Sequence, residues 1–388
     1  MILYFNPTCE MAVRHDGMNY TPPLHVAKME TDLSSIMMFL ADDGDKVVAN
    51  APDPELLDFW ATPLTQGDFI SVDEARRRIV NGEKLTPWGQ CRSVMTKFGL
   101  TDEARRWTLR KTLSRETSVA VEQRLADVLG EASPSTLLST KEELETALRT
   151  RLASGGAVLK SLWSASGRGV RMYSGASDLA AARVFGQNCI AADGAVVVEC
   201  RLDRVMEFSF LFTFGYGKAD YLGVNPYHSS TNGTFGHEVI DSSAFDILNK
   251  SIQGWERTYV PTLARALEEE LNGSGYEGPI GVDAMVHRDN GGRERLRCCM
   301  EVNVRHCMGH VASSVGRHFD QGTVARWGVM NLAHDGQWDE FCATEAAKHP
   351  AKRNASGLLV SGFFRLTSLG RDKRFGACGW ASLPHPVA

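Results

Sequence analysis

One stretch between residues 278 and 310 limits the fold of this 388-residue chain more than any other. Two apolar runs flank Asp289-Asn290-Gly291-Gly292, whose residues tolerate positive φ, so the stretch predicts a β-hairpin. In the second strand every other residue is apolar, as a strand with one buried face requires. The apolar set is Leu296, Cys298, Met300, Val302 and Val304, and the opposite set is Arg295, Arg297, Glu301, Asn303 and Arg305.

Three oxygen-bearing side chains of this hairpin suit a divalent cation. Asp283 interrupts the apolar run of the first strand, while Glu301 and Asn303 project from the second. An unpaired buried carboxylate is costly, and oxygen ligands favour a hard cation such as Mg²⁺, with Mn²⁺ as the alternative. A purely structural cluster, in which an arginine of the second strand neutralises the acids, is the opposing interpretation. The hairpin alone does not decide between the two.

Composition limits the class of protein but not its chemistry. With 43% hydrophobic and 23% charged residues, the chain is typical of a globular protein of two or three domains. Its net charge of −5 provides no electrostatic argument for a nucleic-acid or membrane partner. The sequence has no signal peptide pattern and no apolar run of roughly 18 residues. Nine cysteines without C-x-x-C spacing indicate reduced thiols in a cytoplasmic protein.

The first ninety residues predict a small α/β unit with a parallel sheet. Three short strands are expected at 2–5, 46–49 and 69–71, with a helix at 24–40 between the first two. In open α/β sheets, ligands bind beyond the carboxyl ends of the strands. The polar segment Thr8–Pro23, predicted as a loop, would therefore face a substrate through residues such as Arg14 and His15. An ordinary surface loop is an equally compatible interpretation.

A lysine inside an apolar strand marks a second informative stretch. Lys160 lies in the predicted strand 157–162, and lysine is almost never fully buried without a partner. The small residues that follow, 164–169, form a flexible turn whose backbone N–H groups are suited to phosphate oxygens. The turn matches neither a P-loop nor G-x-G-x-x-G. A glycine-rich turn alone is weak evidence, and the strand lysine strengthens it.

The remaining elements complete an ordered series of motifs. Two histidines, His228 and His237, fall in a loop predicted within 220–238, where a surface or satisfied core role is favoured over substrate binding. The predicted strands are 195–199, a strand opening at Glu207 with alternating phenylalanines, 357–366 and 375–381, and the predicted helices are 139–152, 177–187, 251–271 and 308–333.

In this order, the motifs resemble the ATP-grasp superfamily over roughly residues 90–325. That group includes D-alanine–D-alanine ligase, biotin carboxylase and glutathione synthetase. The resemblance implies an α/β protein with an α+β ATP-grasp core, a preceding Rossmann-like α/β domain and a short C-terminal extension. The implied divisions are a substrate-side domain at 1–90, a central subdomain with Lys160 at 91–200, a C-terminal subdomain with the hairpin at 201–325, and an extension packed on the core at 326–388.

The resemblance also implies a nucleotide site. Lys160 is similar to the strand lysine that contacts the α-phosphate and adenine side of ATP. Glu207 stands where an acid binds the ribose hydroxyls. The segment 199–202 resembles the one whose backbone reads the adenine edge, and the segment 164–170 resembles the loop that closes over the phosphates. The residues concerned are Glu199, Cys200 and Leu202 in the first segment, and Ser164, Ser166, Gly167, Arg168, Gly169 and Val170 in the second.

For catalysis, the resemblance implies that Asp283, Glu301 and Asn303 hold Mg²⁺, while Arg305 meets the γ-phosphate or a substrate carboxylate. One departure is Gly281, which stands where D-alanine–D-alanine ligase has an arginine, so that oxyanion stabilisation falls to Arg305 or Arg14. The lysine that often binds the β-phosphate at the start of the core has only two candidates, Arg92 and Lys97.

The implied activity is an ATP-dependent, ADP-forming carboxylate–amine ligase acting through an acyl phosphate on a small molecule or peptide. The reaction needs positioning and charge stabilisation but no covalent nucleophile of the protein. Two alternatives stay open: a kinase-like phosphotransferase on the same fold, and a nucleotide-binding module without turnover. Substrate contacts are expected from Arg14, His15, His228 and His237, and a homo-oligomer is compatible with the sequence.

Overall fold

A computed structural model of the chain describes residues 1–130, 133–164, 167–230, 235–241 and 244–383. The strands are β1 (Ile2–Tyr4), β2 (Lys46–Val48), β3 (Phe69–Ile70), β4 (Leu85–Pro87), β5 (Ser135–Leu138), β6 (Ala157–Ser161), β7 (Val170–Tyr173), β8 (Val196–Cys200), β9 (Asp203–Gly215), β10 (Lys218–Ser229), β11 (Phe235–Asp241), β12 (Gly278–Arg288), β13 (Glu294–Asn303), β14 (Val324–Asn331), β15 (Lys352–Arg353), β16 (Leu359–Arg365) and β17 (Phe375–Ser382).

The helices lie between these strands. They are α1 (Cys9–His15), α2 (Leu24–Leu33), α3 (Pro54–Trp60), α4 (Val72–Val80), α5 (Arg92–Lys97), α6 (Thr101–Arg106), α7 (Arg115–Leu129), α8 (Lys141–Ala153), α9 (Leu179–Asp193), α10 (Ala244–Ser251), α11 (Trp255–Leu271), α12 (Met308–Gly316) and α13 (Gln337–Lys348). Short 3₁₀-helices cover Ser34–Leu40, Gln66–Asp68 and Ala176–Asp178. Among the described residues, no helix has the length and apolar character needed to cross a membrane.

The N-terminal unit is a four-stranded parallel sheet in the order β3-β2-β1-β4. The three predicted strands and their parallel arrangement are confirmed, whereas β4 was not predicted. Both faces of β1 are buried: Ile2 and Tyr4 belong to one core, and Leu3 belongs to another. The prediction of a loop over residues 8–23 is wrong in part, because α1 occupies the first half of this segment. Cys9, Ala12 and Val13 of α1 are buried at helical spacing, which anchors this short helix to the sheet.

A second sheet, in the order β5-β8-β6-β7, carries Lys160. Helices α8 and α9 cover one of its faces, and their leucines share a core with Leu159 and Val198. The helix predicted before residue 152 is confirmed, with a capping box formed by Thr140 and Glu143. The strand β5 escaped prediction, and it pairs antiparallel with β8 some sixty residues later in the chain.

The largest sheet has nine strands in the order β13-β12-β9-β10-β11-β14-β17-β16-β15. The predicted hairpin is confirmed as β12 and β13, and Asp283 lies directly opposite Glu301 in their register. A bulge between Asp283 and Met285 shifts the pairing, and α7 covers the edge formed by β13. Ser118 of α7 accepts a hydrogen bond from the backbone N–H of Val302, at 2.9 Å. Helix α7 thus shields an otherwise open sheet edge.

The C-terminal part of the chain continues the same sheet. The helix predicted at 308–333 is correct only for α12, because β14 occupies its second half and pairs with both β11 and β17. The predicted pairing of 357–366 with 375–381 is confirmed as β16 and β17. The boundary predicted after residue 325 falls inside β14, so the strands at 326–388 extend the sheet of 201–325. The predicted division into domains otherwise stays a prediction.

Candidate functional site

A cavity of about 1390 Å³ opens between the Lys160 sheet, the nine-stranded sheet and the helices α1 and α2. Most of the site residues predicted from the sequence line it. They are Arg14, Lys160, Ser164, Gly167, Arg168, Gly169, Val170, Glu199, Cys200, Leu202, Glu207, Asp283, Glu301, Asn303 and Arg305. His15, His228 and His237 are not among the described residues of its wall, and Ser166 lies outside the described residues.

Lys160 is held by two acceptors at the floor of the cavity. Its Nζ lies 2.7 Å from Oε1 of Glu199 and donates to the backbone oxygen of Met300 at 3.1 Å. An ammonium group has three donors, so one N–H remains for a ligand in the cavity. Because Met300 belongs to β13, this lysine also joins the two sheets across the cavity.

Glu199 belongs to a closed network of two cations and two carboxylates. Arg297 contacts Glu122 at 2.7 Å and Glu199 at 2.9 Å, and it donates to Ser135 at 2.8 Å. Burial would raise the pKa of Glu199, but Arg297 and Lys160 outweigh burial and lower it to about 2. We call Glu122, Lys160, Glu199 and Arg297 the closed network.

Arg295, Arg297 and Arg305 therefore form no ion pair with Asp283 or Glu301 within the described residues. Arg295 pairs with Asp289 in the turn, and Arg305 pairs with Glu10 of α1. Arg297 was expected to share the exposed face, yet it is buried beside Cys298 and Cys299. Helix α7 and the strands β5 and β8 cover it, through Glu122, Ser135 and Glu199.

The turn after β6 is closely packed around Gly169. A Cβ at this position would lie 2.2 Å from Oγ of Ser161 and 2.4 Å from Oγ of Ser164. Only glycine therefore fits between the two hydroxyl groups. The backbone N–H of Ser161 donates to the oxygen of Gly169 at 3.0 Å, which fixes the turn at the end of the strand. The result is a small-residue wall beside Lys160.

Glu207 stands on β9 at the opposite side of the cavity. Its carboxylate accepts hydrogen bonds from the backbone N–H of Ser229 at 3.0 Å and from the Ser229 hydroxyl at 2.6 Å. Arg204 lies 2.9 Å away as its ion-pair partner. The carboxylate is thus held in place, with acceptor capacity for the hydroxyl groups of a bound ligand.

Asp283 and Glu301 form a pair of acids with little opposing charge. Asp283 accepts hydrogen bonds from Ser209 at 2.7 Å and from the Asn303 amide at 3.1 Å. It has no ion-pair partner within the described residues. Burial and the charge of Glu301 raise the pKa of Asp283 to about 6. We call Asp283 and Glu301 the acid pair.

Glu238 of β11 adds a third carboxyl group to this region. It is buried and accepts a hydrogen bond from the Asn225 amide at 2.6 Å. Burial and the charge of Asp283 raise the pKa of Glu238 well above its usual range. Proton retention or a cation is therefore needed to offset the accumulated negative charge.

The donor set of the acid pair and Asn303 fits a divalent cation. Two carboxylates and an amide oxygen are hard ligands, and a bound cation would neutralise the charge of Asp283, which has no ion-pair partner among the described residues. Across the described ranges, no group of three or more His, Cys, Asp or Glu residues is arranged to hold a metal. Asn303 Oδ1 accepts from Arg305 Nη2 at 2.9 Å, a contact that a cation would have to replace.

Arg115 was missed by the sequence analysis, although it links the two halves of the site. It is the first residue of α7 and is only 5% exposed. One terminal nitrogen donates to the oxygen of Ser161 at 2.6 Å and to Ser164 at 2.9 Å, and the other contacts Glu301 at 2.7 Å. An arginine at the start of a helix rich in charged residues is usually exposed. The sequence around position 115 therefore gave no indication that Arg115 is buried.

The two residues considered for the β-phosphate role in the sequence lie elsewhere. Arg92 donates to backbone oxygens of Asp16 and Trp107, and Lys97 donates to the hydroxyl of Tyr4. Neither is among the described residues that line the cavity.

The missing arginine at position 281 has a steric explanation. A Cβ on Gly281 would lie 2.6 Å from Sγ of Cys307, so any side chain there would collide with the thiol. Arg305 lies near this place and is held by Glu10 and Asn303. Arg14, the other candidate, pairs with Asp193 at 2.7 Å.

The three predicted substrate histidines are not brought together. His228 and His237 face each other across β10 and β11, with ring centroids 5.0 Å apart. Burial and His228 lower the pKa of His237. His15 lies near Tyr20, 6.2 Å between ring centroids. Substrate binding by these residues stays a prediction.

Comparisons with known proteins identify solved structures that share this fold. No protein-family model matches the sequence, and no curated protein does. Solved structures match over almost the whole chain at low identity. A biotin carboxylase from Campylobacter jejuni, solved with β-γ-ATP, is 13% identical with a TM-score of 0.53, covering 99% of this chain and 88% of the other.

Two further structures are similar. An N5-carboxyaminoimidazole ribonucleotide synthetase from Thermus thermophilus is 13% identical with a TM-score of 0.52, covering 98% of this chain and 93% of the other. An L-amino acid ligase from Bacillus licheniformis is 13% identical with a TM-score of 0.50, covering 99% and 93%. At this identity the likeness establishes the fold alone, and it confirms the fold class predicted from the sequence.

Proposed function

Starting from the ATP-grasp fold of this chain, we propose that the protein is an ATP-dependent carboxylate–amine ligase that forms ADP. One observation carries the proposal: a single cavity gathers Lys160, the turn around Gly169, Glu207 and the acid pair. These residues come from three separate parts of the chain. Their meeting in one place is what binding of a nucleotide with its cation requires.

The nucleotide would lie between the two sheets. Lys160 offers its remaining N–H to a phosphate, and the backbone around Gly169 closes on the phosphate chain. The segment Glu199–Leu202 borders the adenine end, and Glu207 accepts from the ribose hydroxyls. Arg115, held by Ser161 and Ser164, adds a second positive charge beside the phosphates.

Transfer of the γ-phosphoryl group to a substrate carboxylate produces an acyl phosphate and ADP. An amine then attacks the acyl carbon, and phosphate leaves. Mg²⁺ bound by Asp283, Glu301 and Asn303 would supply neutralisation of the phosphate charge. Arg305 and Arg115 orient the transferring group and the substrate carboxylate, and neither step requires a covalent nucleophile of the protein.

The test is ADP release by the purified protein with Mg²⁺ and ATP across a panel of acids and amines. We expect ADP release that depends on both an acid and an amine, together with a condensation product detected by mass spectrometry. Stable phosphorylated product formed without an amine would replace the ligase with a phosphotransferase. ATP binding without ADP release for any pair would leave a binding module and overturn the proposal.

A further inference from the structure

We propose that the acid used by this protein carries an apolar group, which fills a part of the cavity built by the N-terminal unit. The inference rests on the proposed function and names the class of its carboxylate substrate. The cavity, at about 1390 Å³, exceeds the roughly 300–1,000 Å³ of an ordinary small-molecule site. It therefore has room for a second substrate beside the nucleotide.

An apolar wall borders part of the cavity. Val26, Met29 and Leu33 of α2 all line the cavity, and their spacing of three and four residues places them on one face of the helix. Phe5, Trp88 and Met308 line the same cavity from other elements. We call these six residues the apolar wall.

The apolar wall begins next to the groups that would perform the chemistry. Arg305 contacts Asn303 at 2.9 Å, and the next residue, His306, donates its backbone N–H to the oxygen of Trp88 at 2.9 Å. Trp88 packs edge-on against Phe5, with ring centroids 5.1 Å apart. A carboxylate held at Arg305 would therefore direct its remaining atoms onto this wall.

Two polar side chains of the N-terminal unit that line the cavity already have partners. Arg14 pairs with Asp193 at 2.7 Å. Thr8 donates to Glu30 at 2.8 Å. A polar substrate group placed against the wall would lose its hydrogen bonds to water without replacement, which disfavours it. The two methionines of the wall are flexible and polarisable, and so they can adapt to apolar groups of different shape.

The experiment compares acids of equal shape and different polarity. L-leucine and L-asparagine form one pair, and L-methionine and L-glutamine form the other. We expect kcat/KM for ADP release to favour the apolar member by roughly 10–200-fold, the usual discrimination of an apolar pocket. Calorimetric binding of the same acids, with a non-hydrolysable ATP analogue present, provides a readout that needs no turnover.

Met29→Gln should reduce the preference for the apolar member by about tenfold or more, because it places an amide on the wall. Met95→Gln is the matched control, since Met95 is partly buried and does not line the described wall of the cavity. It should leave the preference unchanged. Equal or stronger binding of the polar members by the unaltered protein would overturn the inference. Apolar preference in binding without any ADP release would instead count against the ligase alone.

Discussion

The closed network and the acid pair lie beside the same cavity but differ in how their buried charges are balanced. In the closed network, two cations face two carboxylates, and the pKa of Glu199 falls to about 2. In the acid pair, Arg115 contacts Glu301 alone, and the pKa of Asp283 rises to about 6. The difference separates a carboxylate whose charge is neutralised within the fold, Glu199, from one whose charge has no ion-pair partner among the described residues, Asp283. Burial by itself does not distinguish the two, whereas the balance of partners does.

The largest expected effect comes from opening the closed network. Arg297→Met should lower the free energy of unfolding by about 3–5 kcal/mol, because Glu122 and Glu199 would remain buried without their shared cation. Denaturant unfolding followed by tryptophan fluorescence measures this loss. Arg295→Met on the same strand is the control, since Arg295 is exposed and pairs only with Asp289 in the turn. Equal losses for both variants would show that the closed network contributes no special stability.

Changing the acid pair should affect turnover while leaving the fold intact. Glu301→Gln should reduce Mg²⁺-dependent ADP release on the order of 10²–10³-fold, as removal of one preorganised charge-stabilising group usually does. Its circular dichroism spectrum should match that of the unaltered protein. Glu294→Gln, at the start of the same strand, should retain full turnover. An active Glu301→Gln variant would remove Glu301 from the proposed metal site.

Asp283→Asn should stabilise the metal-free protein at neutral pH, by on the order of 1–2 kcal/mol. The folded pKa of Asp283 lies above the unfolded value, so folding favours its protonated form. The contribution of protonated Asp283 to stability is therefore fully present below about pH 4 and is lost as the pH rises through about 6. Unfolding measured between pH 4 and 8 should show this decline in the unaltered protein and a flatter profile in the variant.

Asp289 provides a control of opposite sign on the same hairpin. Backbone hydrogen bonds from Arg293 lower its pKa to about 2, so its ionised form supports the fold. Asp289→Asn should consequently remove stability that is present above pH 4 and lost as the pH falls towards 2. A stabilising effect of Asp289→Asn, or a destabilising effect of Asp283→Asn, would contradict the assignment of the two carboxylates.

The smallest expected effect is the increase in stability that Mg²⁺ binding alone produces. Mg²⁺ at about ten times its dissociation constant adds roughly 1.4 kcal/mol, which raises Tm by about 1–3 °C for a chain of this size. The rise should occur in the unaltered protein and in Arg297→Met, and it should be absent in Asp283→Asn. Differential scanning fluorimetry with and without EDTA measures it. An unchanged rise in Asp283→Asn would place the cation elsewhere.

The sequence predicts the hairpin well because its evidence is local. The alternation of residues 295–305 and the turn at 289–292 are both visible within thirty residues, and the structure confirms the strands that they predict. The turn fixes the register only as far as the pair Met285 and Arg297, and the bulge that follows shifts the pairing so that Asp283 lies opposite Glu301. The parallel sheet at the N-terminus was predicted from the alternation of strands and a helix, and its fourth strand, β4, was missed.

The features that the sequence did not predict depend on contacts with residues far away in the chain. Arg115 is buried because residues 161, 164 and 301 surround it, and nothing near position 115 indicates them. Likewise β14 is a strand because β11 and β17 lie on either side of it. The helix α1 was detectable, since Cys9, Ala12 and Val13 have helical spacing, but the surrounding polar residues obscured that pattern.

The contact between Gly281 and Cys307 has an evolutionary consequence. With 2.6 Å between a Cβ at 281 and the sulfur at 307, the two positions cannot both carry side chains of ordinary size. A protein with an arginine at 281 needs a smaller side chain at 307. A protein that keeps the cysteine at 307 needs glycine at 281. The two sites should therefore change together among descendants of a common ancestor.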